Sequence, residues 1–312
     1  MDSRNHVSTH DALDDPRNAD VRIYVDGEFF HRDEARVSVF DSGFLLGDGV
    51  WEGLRIHDGC VPFLDEHLDR LFEAAKYIGL DVGMTREELS TAVGATLGVN
   101  DMHTDAHVRL MVTRGRKLRP FQHPHLNIHG ATVVIIAEHS RVDQDATGRG
   151  IRLFTVPHHR GLPLTQDAKL NSHSKLNCII ALNQAVQAGA DEALMLDPFG
   201  FVNTTNSCNF FIARKGEVWT STGDYCMNGI TRRRVIELCR ENRIPVFERN
   251  YSLVDTYGAD EAFLTGTFGA QTPVSEIDGR SIGGGEPGPI FRRIRKLYAE
   301  LIQSQVAANG RG

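Results

Sequence analysis

Long apolar runs are missing from this sequence of 312 residues. A membrane-spanning helix needs roughly 20 consecutive apolar residues, and no stretch approaches that length. The N-terminal stretch MDSRNHVSTHDALDDPRNAD is polar where a secretory signal would carry an apolar core. The sequence therefore predicts a cytoplasmic protein that does not interact with a membrane.

An excess of basic residues is missing as well. The 34 lysines and arginines are outnumbered by 41 aspartates and glutamates, which gives a formal net charge of −7. We therefore predict no nucleic-acid partner. The cysteines, Cys60, Cys178, Cys208, Cys226 and Cys239, form no CxxC pair, and no acidic residue completes a ligand set with the histidines. Neither a disulfide framework nor a metal site is predicted.

The composition present is that of an ordinary globular protein, with 41% hydrophobic and 24% charged residues. Residues 1–19 offer few apolar side chains to bury and are predicted to form a disordered leader. The polar stretch 141–149 is the best candidate for a linker between a small N-terminal α/β domain at 20–140 and a large C-terminal domain at 150–312. Because strands and helices alternate in both halves, we predict a two-domain protein of mixed α/β and α+β class.

Local signals in the first half predict specific elements. Asp26-Gly27 lies between two strand-like runs and is typical of a two-residue hairpin turn. The run EARVSVF, residues 34–40, is predicted to form a further strand. FLDEHLDRLFEAAKYIGL has apolar residues at helical spacing, and the next helix begins at Thr85, whose spacing to Glu88 matches a capping box.

The second half is organised around the stretch from Lys169 to Asn209, KLNSHSKLNCIIALNQAVQAGADEALMLDPFGFVNTTNSCN. Its pattern predicts a polar turn, a helix over Leu176 to Ala188, a strand, a turn and a second strand. Polar groups at such a junction often hold a ligand in α/β enzymes. Further on, ITRRRVIELCREN predicts a helix, and another is expected from about Pro289 to Gln305.

Several motifs together resemble the fold-type IV pyridoxal-phosphate enzymes, which include branched-chain and D-amino-acid aminotransferases. They are DSGFLLGDGVWEGLRI, HLDRL, TRG, ADEALMLDPFGFV, NFFI, NGITR and TGTFGAQTPV, and they span nearly the whole chain from Ile23 onward. The resemblance implies a class-IV aminotransferase-like enzyme. It would use pyridoxal phosphate to transfer an amino group between an amino acid and a 2-oxo acid. It also implies a homodimer, because the family builds its site at a subunit interface.

The resemblance implies a set of cofactor-binding residues. Arg70 in HLDRL matches the family's phosphate-binding arginine. Ile230 and Thr231 match backbone donors at the start of a helix, and Thr267 with Phe268 matches a second turn that contacts the phosphate. A doubly charged phosphate is well served by a fixed cation together with backbone N–H groups at a helix N-terminus.

Substrate-binding residues follow from the same resemblance. Phe44, Leu46 and Trp51 match walls of the substrate pocket, and Tyr24 lies where a pocket tyrosine can occur. Arg119 in TRGRKLRPF matches an arginine that binds a substrate carboxylate, a task that suits a planar guanidinium. For each of these residues, ordinary packing or solvation is the alternative.

The sequence departs from the family at the two positions that carry the covalent chemistry. Counting back from ADEAL without a gap puts Asn171 where the family has the Schiff-base lysine, and Asn cannot form an imine. Thr204 falls where the family has the glutamate that pairs with the pyridine nitrogen. A neutral hydroxyl cannot hold that nitrogen protonated, which weakens the electron sink that transamination needs.

Three alternatives follow. In the first, Lys175 or Lys169 binds the cofactor aldehyde, and the helix start near Lys175 favours the reactive neutral amine. In the second, the cofactor binds without a covalent lysine and the protein is a lyase or hydrolase. In the third, the site is a pocket for another phosphorylated or acidic ligand, with His173 as a general base. Its lining would be Asn171, His173, Lys175, Thr204 and Asn206.

Overall fold

The computed structural model describes residues 7–143 and 148–309, which form two compact units. The small unit contains Leu13–Arg141, Leu170–Lys175 and the residues from Ser304. The large unit contains the residues before Leu13, Val142–Lys169 and Leu176–Gln303. The chain therefore leaves the large unit after Lys169 and returns to it at Leu176.

The small unit is built on a five-stranded antiparallel sheet with the order β2-β1-β5-β4-β3. Its strands are β1 (Arg22–Val25), β2 (Glu28–His31), β3 (Gly49–Ile56), β4 (Ala106–Thr113) and β5 (Thr132–His139). The β1–β2 hairpin turns at Asp26 and Gly27, both of which have positive φ. This confirms the predicted hairpin, because a tight two-residue turn requires positive φ at its central positions.

The small unit also contains helices α1 (Ser42–Leu46), α2 (Leu64–Tyr77) and α3 (Arg86–Val99) and short 3-10 turns at Pro16–Asp20 and Pro124–Leu126. The predicted capping box is present, since Thr85 and Glu88 each bind the other's backbone N–H. Leu68 and Leu71 of α2 and Leu89 of α3 pack with the sheet residue Leu110 in one buried core. This core fixes the face of α2 that meets β3.

The large unit contains a nine-stranded sheet whose main order is β11-β10-β9-β12-β13-β6-β7-β8. Its strands are β6 (Ile151–Thr155), β7 (Glu192–Leu196), β8 (Val202–Thr205), β9 (Asn209–Arg214), β10 (Glu217–Thr220), β11 (Val246–Glu248), β12 (Glu261–Gly266), β13 (Ala270–Ile277) and β14 (Arg280–Ser281). Because β8 also pairs with β9, the strands from β9 through β12, β13, β6 and β7 to β8 close into a ring. An apolar core that includes Phe210, Leu264 and Val274 is shared by strands of this ring.

The α-helices described in this half of the chain are α4 (Leu176–Gln187), α5 (Ile230–Glu241), α6 (Leu253–Tyr257) and α7 (Pro289–Asn309). Ala181 and Ala185 of α4 are fully buried against Ala193 and Met195 of β7. Phe263 of β12 stacks on Phe211 of β9 at 5.1 Å and meets Phe291 of α7 at 5.7 Å. Among the described residues, no helix combines the length and apolarity that a membrane crossing requires.

One predicted strand is wrong. Residues 34–40 form turns and irregular backbone instead of a strand. Val37 and Val39 are 47% and 67% exposed, so the alternating apolar side chains that suggested a strand are not buried against a core. Alternation predicts a strand only where a neighbouring strand is available for pairing.

The N-terminal stretch differs from the disordered leader that composition suggests. Residues 1–6 lie outside the described residues. Thr9 is buried, and its backbone N–H and hydroxyl donate to Glu192 at 3.2 and 2.7 Å. Pro16–Asp20 forms a 3-10 helix, and the Asn18 side chain donates to the backbone carbonyl of His139 at 2.8 Å. Hydrogen bonds therefore order residues of this N-terminal segment, and a prediction based only on apolar content does not take such bonds into account.

The predicted linker falls at a division between the units. The longest segment of the small unit ends at Arg141 and the large unit resumes at Val142, inside the predicted 141–149 stretch. Residues 144–147 of that stretch lie outside the described residues. The grouping of Leu170–Lys175 with the small unit is not visible in the composition of the chain, because it arises from strand pairing.

Candidate functional site

Arg70 in the small unit is bound by a buried carboxylate. Glu52 of β3 is 0% exposed and accepts from Arg70 Nε at 2.8 Å and from Nη2 at 2.6 Å. The third guanidinium nitrogen, Nη1, is buried and has no hydrogen-bond partner among the residues that the structure describes. A buried N–H group without an acceptor costs about 1–3 kcal/mol, and this nitrogen is therefore available to donate to a ligand or an ordered water.

Residues 171–173 extend the sheet of the small unit at its β3 edge. The Trp51 backbone N–H donates to the Asn171 carbonyl at 3.0 Å, and the His173 N–H donates to the Gly49 carbonyl at 2.9 Å. Asn171 is 2% exposed, and its side-chain amide donates to the Trp51 carbonyl at 2.6 Å. Trp51 Nε1 in turn donates to the Ser172 carbonyl at 3.0 Å. Asn171 is therefore engaged in strand pairing.

The Trp51 ring lies among cationic groups. The Arg109 guanidinium lies 3.7 Å from the ring centroid and the Lys175 ammonium 5.5 Å from it. His173 Nε2–H donates to the Val50 carbonyl at 3.1 Å. Burial lowers the pKa of His173, the hydrogen bond to Val50 offsets part of this shift, and the charges of Arg109 and Lys175 lower the pKa further. The imidazole is therefore neutral at pH 7, and one of its nitrogens is used by the backbone.

The other predicted substrate residues have different surroundings. Tyr24 belongs to the buried core of the small unit and contacts Phe29 edge to face at 5.7 Å. Phe44 on α1 is 71% exposed. Arg119 is exposed in the loop after β4, and its guanidinium has no hydrogen bond or ion pair to the residues that the structure describes.

In the large unit, Ile230 and Thr231 form the first turn of α5. Gly229 is the N-cap residue, and among the described residues no side-chain cap hydrogen bond is made at this helix start. Asn209 of β9 lies directly behind Gly229 and would collide with any side chain there, while its own amide donates to the Met227 carbonyl at 2.8 Å. The backbone N–H groups of this first turn are suited to an anion, since a helix start carries partial positive charge.

Thr267 and Phe268 lie in the turn between β12 and β13. Phe268 is buried, and its ring contacts the ring of His10 at a centroid distance of 5.7 Å. The N-terminal segment therefore packs on the turn that sequence reasoning assigns to the cofactor phosphate.

Two neutral side chains near this turn are buried without partners. Thr265 and Gln271 are directly opposite each other in the β12–β13 pair, and Thr265 is also opposite Asn209 of β9. In the part of the chain that the structure describes, the Thr265 hydroxyl and both polar atoms of the Gln271 amide have no hydrogen-bond partner. Because opposite residues share a sheet face, these side chains form a buried polar row across β13, β12 and β9.

Thr204 is buried in β8, and its hydroxyl donates to the Cys208 carbonyl at 2.7 Å. The Asn206 side chain accepts from the Ala193 N–H at 2.8 Å. Both predicted polar residues therefore help to hold the turn between β8 and β9.

Lys169 is the last residue of the large unit before the chain passes into the small unit. Its backbone N–H donates to Asp167 at 2.9 Å, and its side chain is exposed. Within residues 7–143 and 148–309, its ammonium has no hydrogen bond or ion pair. Lys169 thus differs from Lys175, which lies at the Trp51 ring.

Sequence reasoning missed several residues of these sites. It did not point to Glu52, which binds Arg70, or to His67, which binds the Glu52 carboxylate. It did not point to Arg109 or Gln271 either. A glutamate inside the apolar run GVWEGLRI was a usable signal, because a charge in a buried strand requires a partner. The i,i+3 spacing of His67 and Arg70 on a helix was a second one. No comparable local signal pointed to Arg109 or Gln271.

Comparison with known proteins gives a consistent set of matches. The profile of the family described as amino-transferase class IV matches residues 49–277. The chain is 42% identical over 286 residues to the branched-chain-amino-acid aminotransferase-like protein 2 of Arabidopsis thaliana, covering 92% of this chain and 51% of that protein. It spans about half the length of this plant relative and of the similar protein 1.

Other relatives match over nearly their whole length. A putative branched-chain-amino-acid aminotransferase of Methanocaldococcus jannaschii is 38% identical, over 90% of this chain and 96% of its own. A D-alanine aminotransferase of Bacillus licheniformis is 30% identical, over 92% and 99%. Among solved structures, the T.th. branched-chain amino acid aminotransferase complexed with N-(5'-phosphopyridoxyl)-L-glutamate superposes with a TM-score of 0.84 and 30% identity, covering 92% of this chain and 95% of that chain.

Proposed function

Because the chain belongs to the class IV aminotransferase family, we propose that it is a pyridoxal-phosphate-dependent aminotransferase. It would transfer an amino group between an amino acid, of the branched-chain or D-amino-acid type, and a 2-oxo acid. Within the structure, the single observation that supports this best is the buried Nη1 of Arg70, which lacks an acceptor. Such an atom calls for an anion, and the cofactor carries a phosphate.

The residues present suit the cofactor in each unit taken by itself. Arg70 in the small unit would hold the phosphate through Nη1. In the large unit, the uncapped start of α5 at Ile230 and Thr231 and the turn at Thr267 and Phe268 would supply backbone donors. Bound pyridoxal phosphate supplies the electron sink for bonds at the substrate α-carbon.

We infer that Lys169, rather than Lys175, would bind the cofactor aldehyde. The Lys175 ammonium already contacts the Trp51 ring at 5.5 Å, whereas the Lys169 side chain is exposed. Asn171 pairs with Trp51 through both its backbone and its side chain, so it has a structural role at the position where the family has its lysine. Because Lys169 lies only two positions before Asn171 in the sequence, it can supply the amine for covalent cofactor binding.

Thr204 would take the place of the carboxylate that faces the pyridine nitrogen. Its hydroxyl donates to Cys208 and keeps oxygen lone pairs available as acceptors. A neutral hydroxyl stabilises a protonated pyridine less than a carboxylate would. We therefore expect a slower enzyme than one with glutamate at this position.

On the substrate side, a carboxylate would be bound in the cationic surroundings of Trp51. Arg109 stacks on this ring and makes no ion pair to a described residue, so its N–H groups remain able to donate. The exposed Arg119 and Phe44 stay candidates for contacts with substrate, and His173 stays a candidate for proton transfer.

A homodimer is the proposed assembly. The small unit exposes large apolar side chains, among them Val39, Phe44, Leu118 and Phe121. The Lys117 N–H donates to the Phe40 carbonyl at 2.9 Å, which brings the segments around Val39 and Leu118 side by side. Exposed apolar patches often mark protein interfaces. Sedimentation of the purified chain tests this proposal, and a monomer at micromolar concentration would contradict it.

A cytoplasmic location stays part of the proposal. All five cysteines are free, as is usual for proteins of a reducing compartment.

The decisive experiment for the function combines spectroscopy with peptide mapping. Pyridoxal phosphate added to the purified protein is expected to give a new visible absorbance band that borohydride removes, leaving a labelled peptide that contains Lys169. Labelling of Lys175 would overturn the choice of lysine alone. Absence of any label, together with no amino transfer from L- or D-amino acids, would overturn the function.

A further inference from the structure

Glu52 receives hydrogen bonds from two residues of the same helix. His67 and Arg70 are three positions apart on α2, so both side chains lie on the face that meets β3. The His67 Nδ1–H donates to Glu52 Oε2 at 2.7 Å, and Arg70 binds both carboxylate oxygens. Three donor contacts therefore converge on one fully buried carboxylate.

The carboxylate is held in its charged form. Burial raises the pKa of Glu52, but the charge of Arg70 and the hydrogen bonds from Arg70 and His67 outweigh burial and keep this pKa below its usual value. A two-point contact between a carboxylate and a guanidinium also fixes the plane of the guanidinium. The direction of the remaining Nη1 is consequently set by Glu52.

A second arginine in the small unit shows what a purely structural pair looks like. Asp48 accepts from Arg114 Nε at 2.7 Å and Nη2 at 2.9 Å, in the same two-point arrangement. Arg114 Nη1 then donates to the Gly79 carbonyl at 2.6 Å, and Nη2 donates to the Ile78 carbonyl at 2.8 Å. Every nitrogen of Arg114 is satisfied by the protein, whereas Nη1 of Arg70 has no partner within residues 7–143 and 148–309.

We propose that Glu52 and His67 are positioning residues that hold Arg70 with Nη1 directed at an oxyanion, which the proposed function identifies as the cofactor phosphate. His67 fixes Glu52, and Glu52 fixes Arg70. The Glu52 charge also neutralises that of Arg70. The site therefore recognises an oxyanion through an oriented donor more than through net charge.

Substitutions at Glu52 separate orientation from charge. Glu52→Asp keeps the charge but shortens the side chain, so the two-point contact is lost. We expect the affinity of the full chain for pyridoxal phosphate to fall about tenfold, the effect of one charge-assisted hydrogen bond. Affinity for pyridoxal, which lacks the phosphate, should stay unchanged. If Glu52 acted only through its charge, Glu52→Asp would be silent and Glu52→Gln would strengthen phosphate binding.

A matched pair at His67 tests the proposal without altering the carboxylate. His67→Asn keeps a side-chain donor, and His67→Leu removes it. The leucine variant is expected to lose about threefold in the ratio of pyridoxal phosphate to pyridoxal affinity, and the asparagine variant should retain the ratio. Asp48→Asn serves as control, because it breaks the comparable pair with Arg114 and should lower the melting temperature without changing the ratio.

Titration with inorganic phosphate separates this inference from the proposed function. If the wild-type chain binds phosphate more tightly than Glu52→Asp does but does not bind pyridoxal phosphate, the positioning role stands and the function fails. If the wild type binds the cofactor and folded Glu52→Asp and His67→Leu leave the affinity ratio intact, the positioning role fails alone. Binding of neither ligand by the wild type overturns both.

Discussion

The two units treat their buried polar groups differently. The small unit pairs charged side chains internally: the fully buried Glu52 with Arg70 and His67, and the half-buried Asp48 with Arg114. The large unit also pairs buried charges, such as Asp191 with Arg152, but its buried Thr265 hydroxyl, Gln271 amide and Asn203 carbonyl oxygen have no partner among the described residues. The small unit thus presents one oriented cationic donor, the Nη1 of Arg70. The large unit holds polar groups that a ligand or an ordered water would complete.

The largest expected effect concerns the two lysines that flank the point where the chain leaves the large unit, Lys169 and Lys175. Lys169→Ala is expected to reduce amino transfer by more than about a thousandfold, since a covalent catalyst would be lost. Lys175→Ala should keep activity within about tenfold, because Lys175 contacts Trp51 instead of reacting. Initial rates with pyridoxal phosphate in excess measure both, and an inactive Lys175→Ala beside an active Lys169→Ala would reverse the assignment.

Breaking a pair in the small unit should destabilise the protein. Arg70→Met leaves the buried Glu52 carboxylate without its cationic partner, and we expect the free energy of unfolding to fall by about 3 kcal/mol. Urea denaturation of the cofactor-free protein measures this. Arg70→Lys restores a charge but not the two-point contact, so it should recover only part of the loss. Equal stability of Arg70→Met and wild type would show that Glu52 finds other compensation.

The corresponding change in the large unit should have the opposite sign. Thr265→Val replaces a buried hydroxyl that has no partner with a methyl group of similar size. We expect the cofactor-free protein to become more stable by about 1 kcal/mol, since an unsatisfied polar group is removed. A loss of stability in urea denaturation would mean that the hydroxyl is already paired, for example with a buried water.

The smallest effect is a pH dependence of the small unit. Because the folded-state pKa of Glu52 is depressed, its stabilising contribution is complete above the unfolded value of about 4.3 and is lost as pH falls through the folded pKa. The difference in unfolding free energy between wild type and Glu52→Gln should therefore be constant near pH 7 and shrink below about pH 4. A difference that stays constant down to pH 3 would contradict a charged Glu52.

Much of the fold could be predicted from the sequence because its signals are local. Asp26-Gly27 and the Thr85–Glu88 box specify a turn and a helix start within four residues, and both are present. The fold-type IV architecture suggested by the motifs is confirmed by the match to solved structures. The strand predicted at residues 34–40 is wrong because alternation of apolar side chains does not show whether a neighbouring strand is available for pairing.

The site was less predictable because its contacts join distant parts of the chain. HLDRL and VWEGLRI were both recognised as motifs, but the salt bridge between Glu52 and Arg70 depends on how α2 packs on β3. Asn171 was aligned with a missing lysine by counting residues. Its pairing with Trp51, 120 positions away, follows only from the three-dimensional arrangement. The roles of the catalytic residues remain predictions.

The pairing of residues 171–173 with the edge strand β3 also affects the solubility of the protein. β3 is the last strand of its sheet, and an open strand edge offers free N–H and C=O groups to which other chains can add. The Asn171 carbonyl and the His173 N–H occupy such groups of Trp51 and Gly49. The segment next to the proposed reactive lysine therefore covers a surface that would otherwise favour aggregation, so shortening or loosening it endangers solubility as well as activity.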